Sequence, residues 1–334
     1  MRVAAFGDIN IDVAVGIDSP PEPGGEAFAS SSRVGLGGSA VNTAVSLVRL
    51  GLPTTVVGQV GADAFGDFAI AELAAAGVDA TGVVVSPSET TGLNLVAVTP
   101  DGERTMIGAR GANRAFAADP GWVAEIDWLH MSGYALLADP QRSAARRAMA
   151  RAKQRSIPIS IDVPSEVGSV LGETLIEDIA GVAVVSTGGS ALQALAGIDD
   201  PVGRLLTAEV GMVAVTAGGR PCRLVNDSDA VTLTPPVVTA VDTTGAGDAF
   251  VAGLVAAILS GLDLGPAAVV ASTLGTAAIT HRGAGLALGD RSVVDEILAA
   301  GPWTDADAAW LATAAGFLGR SLRGPLRPAG EATR

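Results

Sequence analysis

The residues best suited to chemistry lie in the segment 241–250, which reads VDTTGAGDAF and runs directly into an apolar helical stretch. Small residues at Gly245, Ala246 and Gly247 allow backbone N–H groups at a helix start to approach an anion, which the positive end of the helix dipole also attracts. Asp248, in the first turn, is placed to accept a proton from a hydroxyl group that attacks this anion. The segment therefore predicts phosphoryl transfer with a carboxylate base, and its alternative interpretation is an ordinary capped helix.

A second segment, 35–44, reads GLGGSAVNTA and also leads into a helix. The adjacent glycines Gly37 and Gly38 allow the backbone to approach a polyol closely. Asn42 offers both a donor and an acceptor to hydroxyl groups. We interpret this segment as one wall of a polyol site, and a simple tight turn is the alternative.

Short β-type runs alternate with alanine-rich helical runs along most of the chain, which is the rhythm of βαβ units. Predicted strands lie at 3–6, 54–57, 128–131, 157–161, 182–185 and 212–215. Predicted helices lie at 39–50, 63–76, 140–153, 245–260, 266–280, 292–300 and 305–318. The pattern predicts an α/β fold with a mainly parallel central sheet and helices on both faces.

Two intervals, 11–34 and 91–107, interrupt this rhythm, and the second has β-type residues on both sides of a Pro-Asp-Gly turn. We expect them to form a small β lid over the main domain, which we place at 1–300. The remaining segment, 301–334, is expected to hold one helix and then a disordered end rich in proline, glycine and arginine.

Composition excludes several classes of function. The formal charge of -14 and an aromatic content of 4% disfavour nucleic-acid binding. The only lysine, Lys153, lies outside any Walker-type loop, and the only histidines, His130 and His281, lie in no hydrolase or zinc motif. The only cysteine, Cys222, fits a reducing cytosol. No stretch reaches the length of a membrane span and nothing targets export, so we expect a cytoplasmic protein.

Taken together, the two glycine-rich segments resemble the two signatures of the PfkB/ribokinase family of carbohydrate and nucleoside kinases. The first matches the family pattern from Gly37 to Gly61 and the second from Asp242 to Val255, in the expected order. The resemblance spans residues 1–300 and includes shorter matches at 7–12, 102–104, 111–113, 132–134, 162–165 and 282–284.

The resemblance implies a role for each matching position. Asn10 and Asp12 would bind hydroxyl groups of the substrate, in a pocket that Gly37, Gly38 and Asn42 also line. Asp248 would be the base, beside an anion hole of Gly245, Ala246 and Gly247. The loop that borders the nucleotide would contain Thr216, Gly218 and Gly219. A monovalent cation such as K⁺ would lie near Asp242, Thr244, Ala278 and Gly283.

The resemblance also implies ATP and Mg²⁺ as cofactors and a homodimer formed through the β lid. It leaves two acceptors open, a pentose or hexose sugar and a nucleoside of the adenosine or pseudouridine type. Gly111-Ala112-Asn113 looks closer to the sugar kinases. Arg104 and Arg110 on the lid are further candidates for phosphate contacts, and an ordinary surface charge is the alternative for each.

One family motif is missing. Relatives carry Asn-x-x-Glu after the strand that corresponds to 182–185, where it organises Mg²⁺ and phosphate, but here the stretch 186–190 reads STGGS. Water can replace such ligands, because Mg²⁺ usually keeps several waters. A non-catalytic sugar or nucleoside sensor on the same scaffold therefore remains an alternative.

A dehydrogenase is the other alternative, since Gly35, Gly37 and Ala40 fit a G-x-G-x-x-A pattern. The preceding run, 28–34, is rich in serine and makes a poor buried strand. The next strand ends in Gln59, where an acidic residue should hold the ribose. We therefore favour the kinase over hydride transfer.

Overall fold

Two β-sheets of different size organise the chain, whose computed structural model describes residues 1–100, 104–194, 200–280 and 291–322. The larger sheet has nine strands. Their spatial order is β13 (Ala230–Leu233), β12 (Cys222–Asn226), β11 (Met212–Thr216), β10 (Val184–Gly188), β9 (Ile159–Val163), β8 (Trp128–Ser132), β1 (Val3–Phe6), β4 (Thr54–Gly61) and β5 (Asp79–Ser86). Neighbours from β5 to β11 run parallel, whereas β12 and β13 extend the sheet antiparallel.

Helices cover both faces of this sheet. They are α1 (Ser39–Arg49), α2 (Ala64–Ala75), α3 (Gln141–Gln154), α4 (Ser165–Leu171), α5 (Thr174–Ile179), α6 (Gly189–Ala194), α7 (Pro201–Thr207), α8 (Ala246–Leu259), α9 (Leu264–Ala278), α10 (Arg291–Ala299) and α11 (Ala308–Ser321). Short 3-10 turns lie at Gly111–Ala115, Pro120–Glu125 and Gly133–Leu136. The predicted α/β architecture with a mainly parallel sheet is confirmed.

Each strand contributes side chains to two core clusters, one on each face of the sheet, because successive side chains of a strand point to opposite faces. In β8, Trp128 packs with α8 and α9, whereas Leu129 and Met131 join the cluster that contains α3. The helix α8 is apolar all round and buried from Asp248 to Ala257. A helix of this kind must be enclosed on every side, and the sheet, α1 and α9 enclose α8.

The smaller sheet is the expected lid. Its order is β3 (Ser31–Gly37), β2 (Asn10–Gly16), β6 (Gly92–Val98) and β7 (Arg104–Ala109). The strand β2 pairs antiparallel with β3 and parallel with β6, and β6 pairs antiparallel with β7. The dinucleotide-type glycines Gly35 and Gly37 lie within β3, a strand of the lid, and not in a turn after a strand of the main sheet as a Rossmann site requires.

The C-terminal helix is part of the folded body. Ala314, Phe317 and Leu318 of α11 are buried in the cluster formed around α8 and α9. Its packing carries the core beyond residue 300, and the division at that residue stays a prediction. The predicted glycine-rich turn at 283–289, residue His281 and the end of the chain from 323 lie outside the described residues.

Candidate active site

The carboxylate of Asp248 is held below the surface at the start of α8. Its side chain accepts a hydrogen bond from Asn42 Nδ2 on α1, with 2.8 Å between Nδ2 and Oδ2. Thr43 Oγ1 donates to the backbone oxygen of Asp248 at 3.5 Å. The two glycine-rich segments, whose key residues are 206 positions apart in sequence, therefore meet at one buried pair.

Burial raises the pKa of Asp248 to about 6, and the hydrogen bond from Asn42 opposes this shift. The hydroxyl of Ser39 lies beside the carboxylate and lowers its pKa slightly, but outside regular hydrogen-bond geometry. The negative charge of Asp12 on the lid raises it. Such a carboxylate suits a general base, because it is ionised at neutral pH and still has appreciable proton affinity.

The turn before Asp248 exposes backbone N–H groups. Gly245 precedes α8 with φ 77°, a left-handed conformation that favours glycine, and no side chain caps the helix. The first N–H groups of a helix have no partner within it. Above Gly247, the position of a Cβ is open space, so a ligand has room to approach. Thr244 N donates to Asp242 Oδ1 at 2.9 Å and fixes the preceding loop.

A cavity of about 190 Å³ adjoins this turn. Ala246 and Gly247 line one end of it, and the predicted nucleotide-loop residues Thr216, Gly218 and Gly219 line another part. The remaining walls are largely apolar and include Pro235, Pro236, Val237, Val238, Phe250 and Ile279. An apolar slot that ends at a helix N-terminus fits a nucleotide, with the base in the slot and the phosphates at the helix.

The polar face of the lid carries the predicted hydroxyl-binding residues. Asn10 and Asp12 lie on β2 and point to the same face, since side chains alternate along a strand. Asn10 Oδ1 accepts from Asn113 Nδ2 at 2.9 Å, and Asn113 Oδ1 accepts from Ile9 N at 2.8 Å. Asp12 Oδ1 accepts from Asn94 Nδ2 at 2.8 Å. Charge interaction between Asp12 and Asp248 indicates that the lid site faces the base.

Glycines leave room for these side chains. A Cβ on Gly37 would overlap the carboxylate of Asp12, and a Cβ on Gly92 would overlap the amides of Asn10 and Asn113. Gly38 has φ 106°, and a Cβ there would overlap the backbone oxygen of Asp8. The glycines at 37 and 38 are therefore required by close packing as well as by any bound ligand.

The two arginines proposed for phosphate contacts have different surroundings. Arg104, on β7 of the lid, reaches the loop before α8, where it contacts Thr244 and lies 2.6 Å from Thr243 Oγ1 and 3.4 Å from Asp242 Oδ1. Arg110 instead forms a two-pronged ion pair with buried Asp8, at 2.8 Å for both nitrogen-oxygen pairs. Arg104 therefore connects the lid to the anion-binding turn, whereas Arg110 braces the base of the lid.

Asp63 also has a structural position. It caps α2 by accepting from Gly66 N at 2.8 Å, and it accepts from both N and Oγ1 of Thr91 beside the lid. These hydrogen bonds outweigh the effect of burial and lower its pKa. Asp63 thus joins α2 to the start of β6.

The residues suggested for a monovalent cation come together at the C-terminal end of α9. The backbone oxygen of Ile279 accepts from Val241 N at 2.7 Å and from Asp242 N at 3.3 Å, which brings the end of α9 at Ala278 beside the loop that contains Thr244. Gly283, the fourth suggested residue, lies outside the described residues.

Sequence reasoning assigned no role to Asp162, which lies close to Asp248 in the structure. It lies near the C-terminal end of β9 beside Ser186 of β10. Burial and then the charge of Asp248 raise the pKa of Asp162 to about 7, against a hydrogen bond with Ser186. Its signals in the sequence were the family match at 162–165 and its position at the carboxyl end of a parallel strand, where ligands of α/β sheets bind. Asn94 was missed as well.

The described residues hold no group of three or more His, Cys, Asp or Glu side chains arranged for a metal ion. Mg²⁺ does not need one, because it is commonly bound through one or two carboxylates, waters and the phosphates of a substrate. Asp162 fits this limited contribution. Over the same part of the chain, every helix is too short or too polar to cross a membrane.

Comparison with known proteins gives a consistent family. The model of the "pfkB family carbohydrate kinase" matches residues 1–290. An ATP-dependent ribose-1-phosphate kinase from Halopiger xanaduensis is 30% identical over 85% of this chain and 94% of its own length. A fructokinase from Vibrio alginolyticus is 30% identical over 75% and 88%.

Among solved structures, a fructokinase with bound ATP from Xylella fastidiosa superimposes with a TM-score of 0.76 at 24% identity, over 89% of this chain and 98% of that one. This similarity confirms the ribokinase-like fold. Because the family match covers the turn before Asp248, the lid and the cavity alike, the chain belongs to the pfkB family of carbohydrate kinases.

Proposed function

We propose that this chain transfers the terminal phosphoryl group of ATP to a hydroxyl group of a small sugar, with Asp248 as the general base. The observation that carries this proposal is the buried Asn42–Asp248 pair, at the N-terminus of the helix whose first turn lines the apolar cavity. A carboxylate of raised pKa and an anion-binding turn thus occupy one end of one helix.

In this reaction Asp248 takes the proton of the acceptor hydroxyl, and the hydroxyl oxygen of the acceptor forms a bond to the terminal phosphorus of ATP. The bond from that phosphorus to the bridging oxygen breaks, and ADP leaves with the electron pair. N–H groups at the start of α8 stabilise the charge on the transferred group. Bound Mg²⁺ would neutralise phosphate charge, and Asp162 is the carboxylate placed to assist in holding it.

The acceptor is proposed to lie between Asp248 and the polar face of the lid, against Asn10, Asp12 and Asn42. Thr216, Gly218 and Gly219 would border the nucleotide, and K⁺ would lie near Asp242 and Thr244. An unchanged rate when K⁺ is exchanged for a bulky organic cation would contradict the K⁺ site. The names of two relatives contain the acceptors ribose 1-phosphate and fructose, and a search for the acceptor of this chain should begin with these compounds.

A screen for ADP release tests the proposal directly. We expect turnover with at least one of ribose, fructose, 2-keto-3-deoxygluconate and ribose 1-phosphate, and less with adenosine and pseudouridine. A nucleoside as the best acceptor would replace the sugar kinase by a nucleoside kinase. Binding of these compounds without any ADP release would instead support a sensor.

Homodimerisation through the lid is part of the same proposal. On the face opposite Asn10 and Asp12, a row of apolar residues crosses the four strands in register: Val34, Val13, Leu95 and Ile107. Val34, Leu95 and Ile107 are 50%, 46% and 67% exposed. A second copy of the lid would cover such a row, and a purely monomeric mass in sedimentation at micromolar concentration would contradict this.

Arg104 is expected to favour closure of the lid over the reacting groups. Replacing it with Ala removes its contacts with Thr243, Thr244 and Asp242. We predict that kcat/KM for the sugar falls by about 10- to 100-fold, the range for hydrogen bonds to a charged group. Arg114→Ala, which removes an exposed arginine of the adjoining 3-10 turn, is the control and should keep its rate. Equal rates for both variants would contradict the role.

A further inference from the structure

The lid presents a row of three polar side chains whose hydrogen-bonding directions follow from their partners. The row contains Asn10 and Asp12 on β2 and Asn94 on β6, and Asp12 pairs in register with Asn94. Gly35 and Gly108 flank this register pair on β3 and β7. Two short residues beside two polar ones form a trough that a small ligand can enter closely.

The orientation of Asn94 is set by Asp12. A carboxylate only accepts hydrogen bonds, so the amide end that lies 2.8 Å from Asp12 Oδ1 must be the nitrogen. The carbonyl oxygen of Asn94 then lies at the other end, towards Gly108, where a Cβ would stand 3.0 Å from it. Asn94 therefore offers an acceptor to the trough.

Asn10 is oriented by an equivalent argument. The backbone N–H of Ile9 donates to Asn113 Oδ1, which leaves Asn113 Nδ2 to donate to Asn10 Oδ1. The amide nitrogen of Asn10 is then the end that remains for a ligand. The row thus reads donor at Asn10, acceptor at Asp12 and acceptor at Asn94.

Electrostatics support a functional position for Asn94. Burial raises the pKa of Asp12, and the hydrogen bond from Asn94 followed by the charge of Arg33 opposes this shift, while Asp242 reinforces it. An amide that stabilises a partly buried carboxylate also fixes which of its oxygens faces the ligand. Gly37 leaves space beside the same carboxylate.

We propose that Asn94 determines acceptor specificity by accepting a hydrogen bond from a hydroxyl group of the sugar next to those bound by Asp12. This inference rests on the proposed sugar kinase function. It identifies the acceptor as a polyol with at least two free hydroxyl groups along one edge, for Asp12 and Asn94, and a neighbouring oxygen that accepts from Asn10, in addition to the hydroxyl that is phosphorylated. Asn94 both positions Asp12 and contacts the sugar.

The test compares single-deoxy analogues of the best acceptor in wild type and in Asn94→Leu, which keeps the volume but removes both polar ends. In wild type, one analogue should lose about 10- to 100-fold in kcat/KM, because the acceptor oxygen of Asn94 stays unpaired. In the variant, the loss for that analogue should shrink to within about 3-fold, while KM for the parent sugar rises and kcat is largely kept.

Asn94→Ser provides a smaller variant in case the leucine disturbs the lid, and it should recover part of the discrimination through its hydroxyl. Thr232→Ala, an exposed position on β13 far from the lid, controls for general effects. If wild type and both variants discriminate equally against the deoxy analogue, the role assigned to Asn94 is overturned and the proposed kinase function is not. Absence of turnover with every sugar in wild type overturns the proposed function and the assignment with it.

Discussion

Asp248→Asn is expected to lower kcat by about 10²- to 10⁴-fold, the usual contribution of a positioned general base. The amide keeps the shape of the side chain but takes no proton from the acceptor hydroxyl. The rate of ADP release at saturating sugar and ATP measures the change. Asp67→Asn, at an exposed aspartate in the first turn of α2, is the matched control and should retain full activity.

The pH dependence adds a second readout. Because the pKa of Asp248 is raised to about 6, kcat/KM of the wild type should rise with pH through that value and level off above it. The residual rate of Asp248→Asn should lack this limb. A wild-type profile that is flat between pH 5 and 7 would exclude Asp248 as the base.

Asp248→Asn should raise thermal stability at neutral and alkaline pH, although it lowers activity. A carboxylate with a folded-state pKa above its unfolded value favours folding at low pH, and this contribution is lost as pH rises through the folded pKa. At pH 8 the ionised Asp248 is therefore a cost, and Asp248→Asn should raise Tm by about 2–5 °C. A stable, inactive variant separates loss of the base from loss of the fold.

Gly37→Ala is the second change for which we expect a large effect. The added Cβ would overlap the Asp12 carboxylate, so that carboxylate must leave its place beside Asn94. We predict an increase of about 100-fold in KM for the sugar, the cost of losing a charged hydrogen-bonding partner. Steady-state kinetics at varied sugar concentration measure it.

Thermal stabilisation by ATP should survive in Gly37→Ala, because the lining of the proposed nucleotide cavity includes no residue of the lid. Gly316→Ala, in the exposed part of α11, where a Cβ meets only the flexible end of Arg320 at 3.5 Å, serves as the control. An unchanged KM in Gly37→Ala would show that Asp12 does not bind the acceptor.

The sequence predicted the parallel sheet and the lid intervals, because each depends on a local pattern, whereas the shared pocket of the two glycine-rich segments was implied by the family resemblance. The glycines and the apolar run that follows them predict the helix observed from Ala246 to Leu259. The same patterns did not predict β12 and β13, which follow β11 as short antiparallel neighbours without an intervening helix.

Asn94 shows why part of the site was missed. In the strand GLNLVAV it is one polar residue among apolar ones, which indicates a side but not a partner. Its bond to Asp12 joins residues 82 positions apart, and the register of β2 with β6 creates it. Asp162 was missed for the same reason, since its proximity to Asp248 arises only from packing of α8 over β9.

The division of the site between lid and body has a consequence for the hydrolysis of ATP by water in place of the acceptor. Asp248 and the anion-binding turn belong to the body, whereas Asn10, Asp12 and Asn94 belong to the lid, which Arg104 fastens to the turn. A sugar that bridges both halves would hold the lid shut and keep bulk water from the activated phosphoryl group. Without a sugar the two halves are not bridged and the complete site is not assembled. We therefore expect slow ATP hydrolysis, and little loss of ATP, when no acceptor is present.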